Sequence, residues 1–290
     1  MTTADHITTD EMGVLTEQRG AGVIAAPVLI DAHVHFHPMF DWSRFLEAAR
    51  ESFARAKAQM GLASEVAGCL LFTETPGEHR FHELRDAGAP EGWTIKHTNE
   101  AHSVMCCAGD GTRILVIAGR QTVTRENLEV LGLACDHQFS HGQPIVGIVE
   151  QINGLGGFPV VPWGFGKWHL RRKRVVRRVL RSYGPGRLGL GDNGNRPRGS
   201  LRPRLFAKAE ARGIPVLAGS DPLPFGWHEA RAGSYGFVHE APLDGTNPAQ
   251  ALVRSLRALR GSPKPYGQRS NVLACLASQV AMQWRRRMVP

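Results

Sequence analysis

The chain has 290 residues, 42% of them hydrophobic, and 33 glycines. That length suits one domain with a large core, and no run approaches the roughly 18 apolar residues of a membrane-spanning helix, so such a helix is excluded. The net charge of +9 and a sequence pI of about 9.8 suit anionic ligands: phosphates, carboxylates or nucleic acid.

In chain order, residues 1–26 read as a flexible lead-in. Its first nineteen positions lack the basic-then-apolar layout of a secretory signal, so the cytoplasm is the expected compartment. A single domain is expected over 27–290. Short apolar runs at 28–30, 67–72, 113–118, 158–161, 188–190 and 214–218 read as strands. Helical patterns at 43–60, 144–153, 169–181 and 201–212 lie between them, the first stopped by Gly61 and the last by Gly213. Strand and helix in alternation predict an α/β protein with a parallel sheet, open or closed. Residues 93–97 and 103–107 suggest a hairpin, and 248–260 and 271–287 two closing helices across a 261–265 linker. The five cysteines form no Cys-x-x-Cys pair and read as buried, reduced thiols.

The helical pattern at 169–181 is strongly basic. Arg171, Arg172, Lys173, Arg174, Arg177, Arg178 and Arg181 surround an apolar stripe of Leu170, Val175, Val176, Val179 and Leu180. A solvated outer helix face explains this pattern; a surface for nucleic acid or an acidic partner is the other reading. The sequence leaves the oligomeric state open.

Polar residues gather just past the ends of the runs. His33 and His35 follow the first, Thr73, Glu74 and Thr75 the second, and Gly119, Arg120, Gln121 and Thr122 the third. Residues 162–168 follow the fourth, 191–195 the fifth, and Gly219, Ser220 and Asp221 the sixth. Barrel enzymes place their active sites at the carboxyl ends of their strands. The opening motif is the most informative. Side chains alternate faces along a strand, so His33 and His35, and His37 where the strand runs on, point the same way, close enough to share one metal ion. Asp31 is placed to orient an imidazole from behind.

These residues resemble the polymerase and histidinol phosphatase (PHP) family of metal-dependent phosphoesterases and, more loosely, the amidohydrolases. The resemblance spans about residues 28–240 and rests on His33-Val-His35, Gly119-Arg-Gln121 and Gly219-Ser-Asp221. It implies a distorted seven-stranded (β/α) TIM-like barrel carrying up to three ions of zinc, manganese or iron. The chain departs from the family where Thr73-Glu74 replaces an Asp-His pair, Gln121 a bridging glutamate, Pro162-Trp163 a His-Pro pair, and Leu223 the last histidine. A neutral amide bridges divalent cations poorly, which leaves a mononuclear site.

The expected ligands are His33, His35 and Asp221, with Glu74 as a fourth ligand or general base. Asp221 is the alternative acceptor for a water proton. Lys167, with Arg120 and Arg196, is expected to offer positive charge to a substrate, with Gln121 and either Asp192 or Asn193 at the same mouth; the amidohydrolase likeness also offers Lys167 as a carbamylated bridge. The expected function is metal-dependent hydrolysis of an anionic small molecule, most simply a phosphoester, by metal-activated water. The alternative is a relative that has lost turnover and binds a ligand or partner.

Overall fold

A computed structural model describes residues 22–63 and 65–288. The lead-in expected over 1–26 lies mostly outside them, but Val23–Ile24 (β1) is a strand whose Ile24 is fully buried. It pairs with β13 (Leu243–Asp244).

Two open sheets make up the rest. The larger follows the order β14 (Pro265–Gly267), β12 (Tyr235–His239), β2 (Val28–Val34), β3 (Gly68–Phe72), β6 (Arg113–Ile117), β5 (Ser103–Ala108) and β4 (Trp93–His97). Within it β2, β3 and β6 run parallel, and the remaining pairs are antiparallel. The smaller runs β11 (Val216–Gly219), β10 (Gly189–Asn193), β9 (Phe158–Pro162), β8 (Glu129–Leu133) and β7 (Gly119–Val123). Here β9, β10 and β11 are parallel, whereas β7 and β8 are antiparallel. Neither sheet closes on itself. The expected seven-stranded TIM-like barrel is therefore corrected to a mixed α/β fold with two open sheets. The reason lies in 119–133 and 235–239, segments outside the predicted strands that form antiparallel strands and interrupt the parallel succession.

Among the described residues, seven helices cover the sheets: α1 (Trp42–Met60), α2 (Arg80–Asp86), α3 (Ile145–Gly154), α4 (Leu170–Ser182), α5 (Arg204–Glu210), α6 (Pro248–Ala258) and α7 (Val272–Met288). Hydrophobic patterning decides where they lie. Helix α1 is capped by Asp41, which accepts from Arg44 N at 3.0 Å, and it ends at Gly61 in the left-handed region. Its buried Phe45, Leu46, Ala49, Phe53 and Ala56 recur at helical spacing and meet Leu29, Leu70 and Val116 on the outer face of the larger sheet. The smaller sheet is backed in the same way by Ile148, Val176, Val179 and Phe206 from α3, α4 and α5. Between the sheets, Ile30, Cys69, Leu71 and Leu115 share a core with Leu131, Phe158, Val160 and Leu217, into which α6 sends Leu252 and Leu256. No helix of the described residues is long and apolar enough to cross a membrane.

The sheets touch at two seams, each needing a glycine. At one, Glu74 N donates to Gly119 O at 3.0 Å and Gln121 N to Glu74 O at 2.8 Å; a Cβ on Gly119 would stand 2.4 Å from Phe72 O. At the other, Asp221 N donates to His33 O at 2.8 Å, and a Cβ on Gly219 would stand 2.5 Å from His33 N. Any larger residue at either position pushes the sheets apart.

Asp31 ties the second seam. Its wholly buried carboxylate accepts from Ser220 N at 2.8 Å, Ser220 Oγ at 2.5 Å, Gly233 N at 2.9 Å and His33 N at 3.3 Å. The expectation that it orients an imidazole is thus corrected: it holds the His33 backbone. Removing it strands several buried donors, and each such loss costs about 1–3 kcal/mol. Asp31→Ala should therefore lower the unfolding free energy by about 2–4 kcal/mol in urea titration. A loss below about 1 kcal/mol would show the tie to be redundant.

Candidate metal centre

Strand β2 carries His33 near its end, and His35 follows directly. A register shift between Asp31 and Val34 rephases the strand as Val34 joins the outer core. Both imidazoles are buried and their Nε2 atoms lie 3.1 Å apart. Asp221, just past β11, sits in the left-handed region at φ 50°, a conformation costly for a non-glycine residue. Its Oδ1 lies 3.6 Å from His33 Nε2 and 3.7 Å from His35 Nε2. Two nitrogens and one carboxylate oxygen thus lie within 4.8 Å of one another.

Two asparagines position the carboxylate. Asn193, which ends β10, donates through Nδ2 to Asp221 Oδ2, and Asn195 Nδ2 bonds the same oxygen at 3.3 Å and Asp221 O at 2.7 Å. Asn193 Oδ1 in turn accepts from Asn195 N at 2.7 Å. With Oδ2 engaged by amides, Oδ1 is the oxygen turned to the histidines. Burial alone raises the Asp221 carboxyl, but His33, His35 and the two asparagine amides outweigh it and hold it at about 2. Burial, reinforced by His33, pushes His35 down to about 3. At neutral pH the site therefore presents an ionised carboxylate and an uncharged His35, the protonation states that bind a cation.

These residues fit a metal ion. Two imidazole nitrogens facing each other can share only one proton, and His35 Nδ1 is buried without a hydrogen-bond partner. An N, N, O donor set of this kind suits zinc, manganese or iron. His35 and Asp221 open onto a cavity of about 850 Å³, walled by Gln121, Trp163, Phe165 and Lys167 and roofed by Gln279 and Met282 of α7. His37 also lines it, its Nε2 2.9 Å from Pro222 O and its pKa lowered by burial.

The structure brings His33, His35 and Asp221 together as expected and corrects several other assignments. Glu74 is outside the metal-binding group: it accepts from Phe81 N at 2.6 Å and lies 2.9 Å from Arg120 Nη1. Arg120 is buried, bonded to Asp136 Oδ1 through Nε at 2.8 Å and to Glu78 O at 2.6 Å, so it holds the first seam rather than substrate. Asp192 turns to Arg196, at 2.7 Å, and to Tyr235 Oη, at 2.8 Å. Adjacent residues on a strand face opposite ways, so Asn193 meets Asp221 and Asp192 cannot. Lys167 does line the cavity but is paired with Glu129. Gln121 stands beside His35, its amide favouring the protonated ring. Of the two residues that the polar run at 191–195 offered for the mouth, Asn193 is the one that reaches the site, and Asn195 joins it without having been singled out.

No protein-family model matches the chain, and no curated protein matches it. Among solved structures, that of PsfC from Pseudomonas syringae PB-5123 is similar, with 12% identity and a TM-score of 0.50. The likeness covers 91% of this chain and 100% of that one. At that identity it speaks for the fold alone.

Two outcomes test this geometry. Asn193→Ala removes the shorter of the two amide bonds to Asp221 Oδ2 and should weaken metal binding by about 10–100-fold in competition titrations, with circular dichroism unchanged. Burial pushes the Glu74 carboxyl up from 4.5 to about 7, against the Phe81 N–H and the Arg120 charge. Its contribution to stability is then full below about pH 4.5 and lost as pH rises through about 7. Glu74→Gln should flatten the fall of Tm between about pH 5 and pH 8.

Proposed function

We propose that the chain is a metal-dependent hydrolase of the phosphoesterase kind, with one divalent cation resting on His33, His35 and Asp221. One observation carries this reading: two imidazoles and a buried carboxylate, nearly two hundred residues apart in sequence, converge at one end of a large cavity. A divalent cation there supplies Lewis-acid chemistry, polarising a substrate oxygen and making water a stronger nucleophile near neutral pH.

The chain's own residues do the rest. His33 and His35 offer Nε2, and Asp221 offers Oδ1 while Asn193 and Asn195 hold its other oxygen still. Asp221 stays ionised and is the carboxylate nearest the reacting end of the cavity, so it is the acceptor for a water proton. Helix α7 narrows access of bulk water from above. The segments that meet at the triad are the His-x-His and Gly-Ser-Asp segments that resemble the PHP family. Gln121, where the resemblance implies a bridging glutamate, offers a neutral amide, which bridges a second ion poorly.

A second reading, ligand binding without turnover, is favoured by the capture of Glu74. Its pairing with Arg120 and Phe81 removes the residue expected to serve as base. Metal analysis of protein purified without chelator should find about one ion per chain, lost in a His33→Ala/His35→Ala variant. Hydrolysis of a panel of phosphoesters should fall to background in the same variant. Metal without turnover supports the second reading, and protein free of metal in both forms overturns the first.

A further inference from the structure

The cavity holds a second recognition element, away from the histidines. Among the described residues that line it, Lys167 and Arg172 are the cations, and Lys167 is neutralised by Glu129. Arg172, in the first turn of α4, is in no ion pair among the described residues; its Nη2 donates to Gly166 O at 2.8 Å. A guanidinium has five N–H donors in a fixed fork, so most remain free to meet an anion, and the Gly166 bond sets the plane in which they point.

Beside its polar groups the cavity lining carries two aromatic rings, Trp163 and Phe165. Asn193 Nδ2, which holds Asp221, also donates to Trp163 O at 3.3 Å. Trp163 meets Phe165 edge to face, their ring centroids 6.4 Å apart. Phe165 is 53% exposed, an aromatic left in water at the cavity wall, and the next residue is the Gly166 that Arg172 clamps. Contacts thus connect Asn193 of the triad's support to Trp163, Trp163 to Phe165, and the residue after Phe165 to Arg172.

We propose that Arg172 anchors an anionic group remote from the reacting bond, and that Trp163 and Phe165 cover a flat or acyl segment between the two. The substrate class is an elongated amphiphilic anion, with its reactive ester at the histidines and a carboxylate or phosphate at Arg172. The inference rests on the hydrolase reading for the reactive end only. Anchoring at Arg172 needs no metal, so the two can fail separately.

The test measures binding of 4-phenylbutyrate, 3-phenylpropyl phosphate and the neutral 4-phenylbutan-1-ol by calorimetry. It uses the His33→Ala/His35→Ala variant and, in parallel, wild-type protein stripped with a chelator, so that no probe can bind through a metal. Both anions should bind about tenfold or more tightly than the alcohol. Adding Arg172→Ala should erase that preference, Arg172→Lys should keep part of it, and Phe165→Ala should weaken all three probes alike. A preference for one anion only names the carboxylate or the phosphate as the natural group. Equal binding of anions and alcohol, no binding at all, or an undiminished preference in Arg172→Ala overturns the proposal.

Discussion

One buried carboxylate governs how the two sheets meet. Asp31 belongs to the larger sheet, yet its strongest partners are the backbone and hydroxyl of Ser220, which follows the last strand of the smaller one. Its third partner, Gly233, leads into β12. A buried carboxylate must be hydrogen-bonded, and here the requirement can be met only by bringing those three segments together. The consequence is positional. Once Ser220 is fixed against Asp31, Asp221 is fixed against His33, and the triad follows from a bond that touches none of its side chains.

The glycines complete this constraint. Gly219 lets β11 approach β2 closely enough for the Asp221 N–H to reach His33 O, and Gly119 does the same where β7 meets the end of β3. Two open sheets thereby make a cavity without a continuous ladder of hydrogen bonds around it. Asp221 holds its left-handed backbone while Asn193 and Asn195 grip its carboxylate and Asn195 its carbonyl. The energy stored there is balanced by three amide contacts, which favours one orientation of the carboxylate over its rotamers.

Much of this was legible in the residues, for identifiable reasons. Period-two alternation put His33 and His35 on one side of a strand end, and the apolar runs located β2, β3, β6, β9, β10 and β11. Helical spacing and terminal glycines located α1 and α5. The hairpin of β4 and β5 was legible, but β7, β8 and β12 were hidden because 119–133 is polar at its start and 235–239 is short and glycine-containing, so neither stands out as an apolar run. Closure was hidden with them, since it depends on which edges are left after every strand has paired.

Strand-end position has a narrower meaning than the sequence suggests. Glu74, Arg120, Lys167 and Asp192 all lie within a few residues of strand ends, as do the members of the triad, yet each has found an oppositely charged neighbour of its own. The physical reason is general. Charged groups at a partly buried rim lower their desolvation cost by pairing with one another, so rim position selects for ion pairs as readily as for ligands. What separates the triad is that its members have no such pairing to settle into. Two histidine nitrogens confront each other at 3.1 Å, and the adjoining carboxylate oxygen faces both without closing a salt bridge shorter than 3.6 Å. A cluster that its own chain leaves incompletely satisfied is better evidence for a bound cation than any count of polar residues around a cavity.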